Sequence, residues 1–450
     1  WSRNQMDKPL FTREELKKLI IPLILEQLLA ISIGMSDTLM VSACGEAAVS
    51  GVSLVDSISV LLIQILSALA TGGAVVCSQY LGKKMPEKAR LSAGQLMFIM
   101  LVVSVTVMVA VLFSSEFLLR TIFGQIEADV MENARVYFLV TALSYPFLGV
   151  YNAGAALFRS MGNSKISMYT SLVMNIINIA GNALLIFGFG LGVLGAALST
   201  LVSRTISALV MAVLLCKKDN PLCIASLACL RPQWDVISRI LKIGIPSGVE
   251  NGMFQIGKLL VSSLTATFGT AAIAANAVAN SIAGFANIPG NAIGLAMVTV
   301  IGRCIGAGEK QQARNYSRKL LGIAYVGMFL TNLAVFVGVK PLVSCFSLSE
   351  EAHGIAVQLL RTFAVCAILI WPLSFALPNT LRAAGDAKYT MVVSVFSMWV
   401  FRVFSSYFFA GTLGLGVLGV WIGMYVDWLF RSILFVIRYI HGKWLNKRVV

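Results

Sequence analysis

Apolar residues along this chain run in blocks of about twenty or more, separated by short polar stretches. Twelve blocks can be counted, at 19–43, 53–80, 91–115, 134–157, 166–188 and 192–215, then at 240–266, 272–302, 317–340, 355–380, 389–410 and 414–437. Each is long enough to cross a bilayer as a helix, which takes about 20 residues. The alternating ten-residue segments of an outer-membrane barrel are absent. The pattern therefore predicts an all-α membrane protein with twelve transmembrane helices. The first 18 residues are polar, and no cleavable signal peptide is expected there. Thr12-Arg13-Glu14-Glu15 has the spacing of a helix-capping box leading into the first apolar block.

The blocks repeat. A shift of 224 residues lays 21–90 on 245–314 without a gap and with 13 identities in 70. These include Ile21-Pro22 with Ile245-Pro246, Glu26 with Glu250, Gly45 with Gly269, and Ala89-Arg90 with Ala313-Arg314. Farther on, Gly190-Leu-Gly-Val-Leu-Gly195 recurs as Gly414-Leu-Gly-Val-Leu-Gly419, and Arg159-x-x-Gly162-Asn163-x-Lys165 as Arg382-x-x-Gly385-Asp386-x-Lys388. Six spans per half is an even number, so the halves share orientation about an axis along the membrane normal. The predicted organisation is a cytoplasmic segment 1–18, an N-lobe 19–215, a cytoplasmic linker 216–239, a C-lobe 240–437 and a cytoplasmic tail 438–450. Two pseudo-symmetric six-helix lobes place a binding site in the cleft between them and suggest alternating access by rocking.

Only 12% of residues are charged and 58% are apolar, where a soluble domain has about a quarter charged. The net charge of +15 raises nucleic acid as a partner, but the placement of the charges argues otherwise. With the N-terminus inside, cytoplasmic segments hold 27 of the 35 Lys and Arg. External segments hold four (Arg120, Arg135, Lys340, Arg361) and spans hold four (Arg204, Lys258, Arg402, Arg431). This asymmetry predicts both termini inside. It fits a multi-pass protein of the plasma (inner) membrane whose basic surplus faces lipid headgroups, with no nucleic-acid partner.

Eight cysteines lie mostly in apolar runs, and Cys216, Cys223 and Cys229 lack zinc spacing, so free thiols are expected. Two histidines are too few for a His-based metal site. Gly188-Phe-Gly190-Leu-Gly192 follows no strand and reads as a helix-breaking turn, not a dinucleotide loop. No nucleophile–base pair and no phosphate-binding Gly-Lys-Ser/Thr motif is present, so neither an enzyme nor an ATP-driven pump is expected, and no cofactor beyond a coupling ion.

Ionisable groups inside a bilayer cost about 3 kcal/mol each and face a cavity or a partner. Asp37 sits two-thirds along the first span, and its repeat mate is Val261. Scaffolding would keep both copies; a coupling-ion or proton site used in one lobe need not. Asn175, Asn178 and Asn182 share one helical face, and with Thr200 they offer neutral oxygens that suit Na⁺. The competing reading is interhelical hydrogen bonding. Glu26 and Glu250 follow Pro22 and Pro246 by four residues. They are read as a pair at the cytoplasmic end of the cleft, attracting cationic substrate or relaying protons, with a structural carboxylate as the alternative. Asn276, Asn280, Asn287 and Asn291 predict a polar stripe along one eighth span that lines the cleft, with helix–helix hydrogen bonding as the alternative. Lys258, Arg402, Asp427 and Arg431 place charge inside the C-lobe, where Asp427 and Arg431 are spaced to pair. Asp56, near a span end, reads as wetted.

The chain resembles the multidrug and toxic compound extrusion (MATE) family over nearly its whole length. The resemblance rests on Pro22 fifteen residues before Asp37 in Met35-Ser-Asp-Thr-Leu-Met40, on Asn178-x3-Asn182-Ala-Leu-Leu-Ile-Phe-Gly188, on Gly195-Ala-Ala-x-x-Thr200, and on the Leu81-Gly82 and Arg382-x-x-Gly-Asp386 turns. The resemblance implies secondary antiport of organic, often cationic, compounds against Na⁺ or H⁺. It implies an N-lobe cation site at Asp37, Asn178, Asn182 and Thr200, which could hold Na⁺; neutralising Asp37 by H⁺ or Na⁺ is expected to reshape the first helix at Pro22. Three positions depart from the pattern. Asn182 stands where some relatives have Asp. Phe254 stands where several have a seventh-helix Glu, and Trp371 where they have a tenth-helix Asp.

The sequence thus predicts a monomeric antiporter exporting small organic compounds, cationic or amphipathic, in exchange for H⁺ or Na⁺. The alternative is a lipid-linked oligosaccharide flippase of the same superfamily, for which Lys258, Arg402 and Arg431 would supply positive charge.

Overall fold

The computed structural model of the chain describes residues 9–124, 127–224, 227–447 and 449–450; the first eight residues of the expected N-terminal segment lie outside these. Among the described residues the regular structure is helical, in two units, 21–248 and 249–450, the second joined by the residues up to Ile20.

In the first unit the helices are α1 (Arg13–Ser42), α2 (Glu46–Gly82), α3 (Pro86–Phe123), α4 (Ala128–Leu143), α5 (Tyr145–Ser160), α6 (Ser164–Asn182) and α7 (Gly192–Leu215). α2 packs against α3, α4 and α5, and α7 packs against α4, α5 and α6. The linker region holds the 3-10 turn Leu227–Leu230 and leads into α8 (Trp234–Ala266), whose first turns lie against α2. A side chain at Gly72 would meet the carbonyl of Ile240 at 2.7 Å and Gly244 at 2.8 Å, so only glycine allows this approach.

The second unit continues from α8 with α9 (Thr270–Ala286), α10 (Ile288–Ala307), α11 (Lys310–Val337), the short α12 (Val339–Ser344), α13 (Glu350–Leu369), α14 (Leu377–Ala383), α15 (Ala387–Phe396), α16 (Phe404–Tyr407) and α17 (Gly416–Ile440). α10 packs on α11 and α14, and α9 packs on α13. The capping box forms as read: Glu15 N donates to Thr12 Oγ1 at 3.2 Å and Thr12 N to Glu15 Oε2 at 2.7 Å. Just before it, Leu10 N donates to Gln312 (3.0 Å) and Phe11 N to Tyr316 Oη (3.1 Å), with Arg303 stacked on the Phe11 ring.

Among the described residues, ten helices are long and apolar enough to cross a membrane, and the pair α4 and α5, bent by 50°, makes an eleventh. The twelfth expected span is α8, whose apolar run is diluted by Glu250, Asn251, Gln255 and Lys258. The outer faces are strongly apolar: Phe113, Leu39 and Val337 are 89%, 70% and 76% exposed, which suits lipid and not water.

The sequence repeats mark shared backbone geometry. Gly45 and Gly269 precede α2 and α9 with φ of +103° and +97°, and Gly190, Gly192, Gly414 and Gly416 lie between +56° and +68°. These left-handed values favour glycine. The repeat offset changes from 223 at the Arg159 and Arg382 motifs to 224 at the Gly190 and Gly414 motifs. Within that interval both halves contain a π turn, Ala183–Gly188 and Phe408–Thr412, but the second half alone has another, Ser397–Val403. A turn closed i→i+5 takes up one additional residue, which accounts for the change.

Two expectations are corrected. The four asparagines from 276 to 291 do not share one helix. The chain breaks at Asn287 because Pro289 opens α10 and lacks the N–H that would continue α9. Asn276 and Asn280 therefore belong to α9, Asn287 to the break and Asn291 to α10. Asp427 and Arg431 do not form the i, i+4 pair: Asp427 accepts from Ser397 Oγ (2.5 Å) with Arg402 at 4.0 Å, while Arg431 lies 3.8 Å from Glu250.

Candidate functional site

Four polar side chains predicted from the sequence meet in the first unit. Asn182 ends α6 at the π turn, and its Nδ2 donates to Asp37 Oδ1 at 2.6 Å and reaches Asn178 Oδ1 at 3.4 Å. Asn178 Nδ2 in turn reaches Thr200 Oγ1 on α7 at 3.4 Å. The close approach of α6 and α7 depends on Gly181, where an added Cβ would lie 2.5 Å from Ser199 Oγ. Ser199 also donates to the Asn178 carbonyl at 2.7 Å. Asp37 is half-buried, while Asn178, Asn182 and Thr200 are buried. The side-chain oxygen of Asn182 is buried without a partner. An orphaned oxygen next to a carboxylate is the donor set a hard cation or a protonated network would complete. Asn175, one turn earlier, donates to the Ser171 carbonyl (2.9 Å) and stays outside this group.

Sequence reasoning missed the second half of the cluster. Asp56 is half-buried and accepts from Tyr137 Oη at 3.4 Å, and Tyr137 also lies beside Thr200. Arg204 donates to Ser144 Oγ at 2.8 Å and supplies the neighbouring positive charge. The available signal was Arg204 itself, a cation one turn after Thr200 in a span that needed an acid.

Glu26 and Glu250 occupy equivalent places but are both neutralised by arginine. Glu26 accepts from Arg159 (3.1 Å) and Ser167 (2.7 Å). Glu250 accepts from Arg382 (2.7 Å) and Ser394 (2.6 Å), with Arg431 at 3.8 Å. Arg159 and Arg382 are themselves repeat mates, so each half has a buried carboxylate–guanidinium clip. Pro22 and Pro246 lie inside α1 and α8 without breaking them.

In the second unit, Phe254 and Trp371 form an aromatic group with Phe375. Trp371 stacks on Phe375 at 5.0 Å, Phe254 meets it edge-on at 6.1 Å, and Arg431 sits 4.5 Å above its ring. Asn276 accepts from Trp421 Nε1 at 2.8 Å, and Asn280 donates to the Asn276 carbonyl at 2.8 Å. Both asparagines line a cavity of about 270 Å³ with Lys258 and Arg402. Asn287 and Asn291 are not among its lining residues.

The MatE family model matches residues 22–184 and again 246–408, the same 224-residue offset as the sequence repeat. YisQ of Bacillus subtilis, described as an uncharacterized transporter, is 32% identical over 98% of this chain and 97% of its own length. A probable multidrug resistance protein, NorM of Thermotoga maritima, is 25% identical over 97% and 94%. Among solved structures, a MOP superfamily transporter from Pyrococcus furiosus Vc1 superposes with a TM-score of 0.90 at 21% identity, covering 96% of both chains. An outward-facing multidrug resistance transporter of the MATE family gives 0.88 at 22%, also covering 96% of each.

Proposed function

Because this chain belongs to the MATE family and is a multi-pass membrane protein, we propose that it is a secondary antiporter. In this reading it exports small organic compounds, cationic or amphipathic, in exchange for H⁺ or Na⁺, as a monomer in the plasma membrane with both termini inside. The supporting observation is the contiguous Asp37–Asn182–Asn178–Thr200 network, present in one half only, since Val261 replaces Asp37 in the other. A carboxylate at membrane depth is costly while charged. Occupation by a proton or Na⁺ lowers that cost and changes what Asn182 donates to, so the ion and the shape of this half become linked. The flippase alternative is not favoured, because the relative NorM of Thermotoga maritima is described as a probable multidrug resistance protein.

Asp37→Asn keeps the shape and the acceptor but removes the charge. In proteoliposomes with imposed pH and Na⁺ gradients applied separately, it is expected to lower gradient-driven substrate movement by about tenfold or more, the worth of one charge-assisted contact. Movement at the wild-type rate under both gradients would remove Asp37 from coupling. The gradient that drives the wild-type protein identifies the ion.

A further inference from the structure

The cavity in the second unit is the repeat image of the acidic cluster in the first, with its charge inverted. Counting by the 224-residue shift, Asp37 becomes Val261, Asp56 becomes Asn280 and Gly34 becomes Lys258. Counting back from the Gly190 and Gly414 turns, Asn178 becomes Arg402. Val261, Asn280, Lys258 and Arg402 all line the cavity. Two acids have been replaced by neutral groups, and two neutral positions by cations.

Among the described residues Lys258 has no anion beside it, and Arg402 has only a distant one. Lys258 makes no hydrogen bond or ion pair among the described residues. Arg402 Nε is buried without a partner, and the nearest carboxylate, Asp427, stands at the 4.0 Å limit and is held by Ser397. The other face of Arg402 lies on the Phe254 ring at 5.2 Å. An unpaired ammonium beside a loosely paired guanidinium at membrane depth is unfavourable unless something from outside completes them. The walls are half apolar, with Val261, Val420 and Met424, and include the Trp421 ring, which Asn276 fixes in place.

We propose that this cavity binds an organic anion, a carboxylate carried on an apolar or aromatic body. Lys258 and Arg402 would hold the carboxylate, with the amide of Asn280 beside them, and Trp421 would pack against the body. A planar guanidinium and a mobile ammonium suit a two-oxygen anion. The bound anion would neutralise the half that the Asp37 network does not serve. The site does not depend on Asp37 acting as the coupling group.

The test is calorimetric titration of the full chain in phosphatidylcholine nanodiscs with 2-naphthoate, using 2-naphthamide as the uncharged isostere. Naphthoate is expected to bind about tenfold or more tightly than naphthamide. Lys258→Gln is expected to remove that preference, Lys258→Arg to keep it, and Asp37→Asn to leave it intact. Equal binding of the two probes by the wild-type protein would overturn the proposal. So would an unchanged preference in Lys258→Gln when Arg402→Gln is also unchanged. Arg402→Gln carries weight only if its unfolding midpoint matches the wild type, and Lys258→Gln serves alone if it does not. Displacement of naphthoate by adding phosphatidylglycerol to the nanodiscs would assign the site to a lipid headgroup and overturn the organic-anion reading.

Discussion

Removing the charge of Glu250 tests whether the two buried clips are equal, as their place in the repeat suggests, or unequal, as their surroundings require. In Glu250→Gln, Arg382 keeps a neutral acceptor but loses its carboxylate, and Arg431 loses one of its two neighbouring acids, Asp427 remaining. Glu250 is 4% exposed and Arg431 is 3% exposed, so water cannot replace what is lost. Leaving a buried charge uncompensated costs about 3–5 kcal/mol. In Glu26→Gln one arginine loses its anion, and the Arg159 side chain is 15% exposed. That loss resembles a charged hydrogen bond, about 2 kcal/mol. Equilibrium unfolding in mixed detergent micelles should therefore rank Glu250→Gln well below Glu26→Gln. Truncating both partners, in Glu250→Gln with Arg382→Gln, should recover part of the loss, because removing a pair costs less than orphaning one member. An equal or larger effect for Glu26→Gln would refute the argument that Arg431 shares the carboxylate.

Two further outcomes follow from packing and capping. Gly290→Leu would drive a side chain into the Trp371 ring, and overpacking of this kind costs about 1–3 kcal/mol; an unfolding midpoint equal to wild type would show that α10 can shift away from the aromatic group. Thr12→Ala removes half of the capping box and is expected to cost about 1 kcal/mol, seen as faster amide exchange at Glu15 with no change deeper in α1; unchanged exchange would mean the Tyr316 and Gln312 contacts alone hold this start.

The helical architecture was legible because apolar blocks of span length and a 224-residue repeat leave little choice of fold. That Asp37, Asn178, Asn182 and Thr200 lie side by side was legible as well, since spacing places the asparagines on one face and the resemblance supplies the order. What escaped depends on neighbours distant in the chain. Helical phase says which face Glu250 occupies, but not that Arg382, 132 residues away, meets it. Asp427 was matched to the cation nearest in sequence, whereas Ser397 and Arg402 reach it from another helix. Asp56 was placed in water because it lies near a span end, yet Tyr137 reaches it from α4. The break at Asn287 was the one miss with a local signal, in Pro289.

The additional π turn at Ser397–Val403 shows how two copies of one design can diverge without unravelling. In an ordinary α-helix an inserted residue swings everything after it by about 100°, and the whole packing surface of the half would be lost. A widened turn confines that rotation to itself: Gly414 and all that follows return to the phase of the first copy, and only the residues at the turn absorb the change. New chemistry can enter a duplicated membrane bundle at such a point while the neighbouring helices keep the contacts they already had.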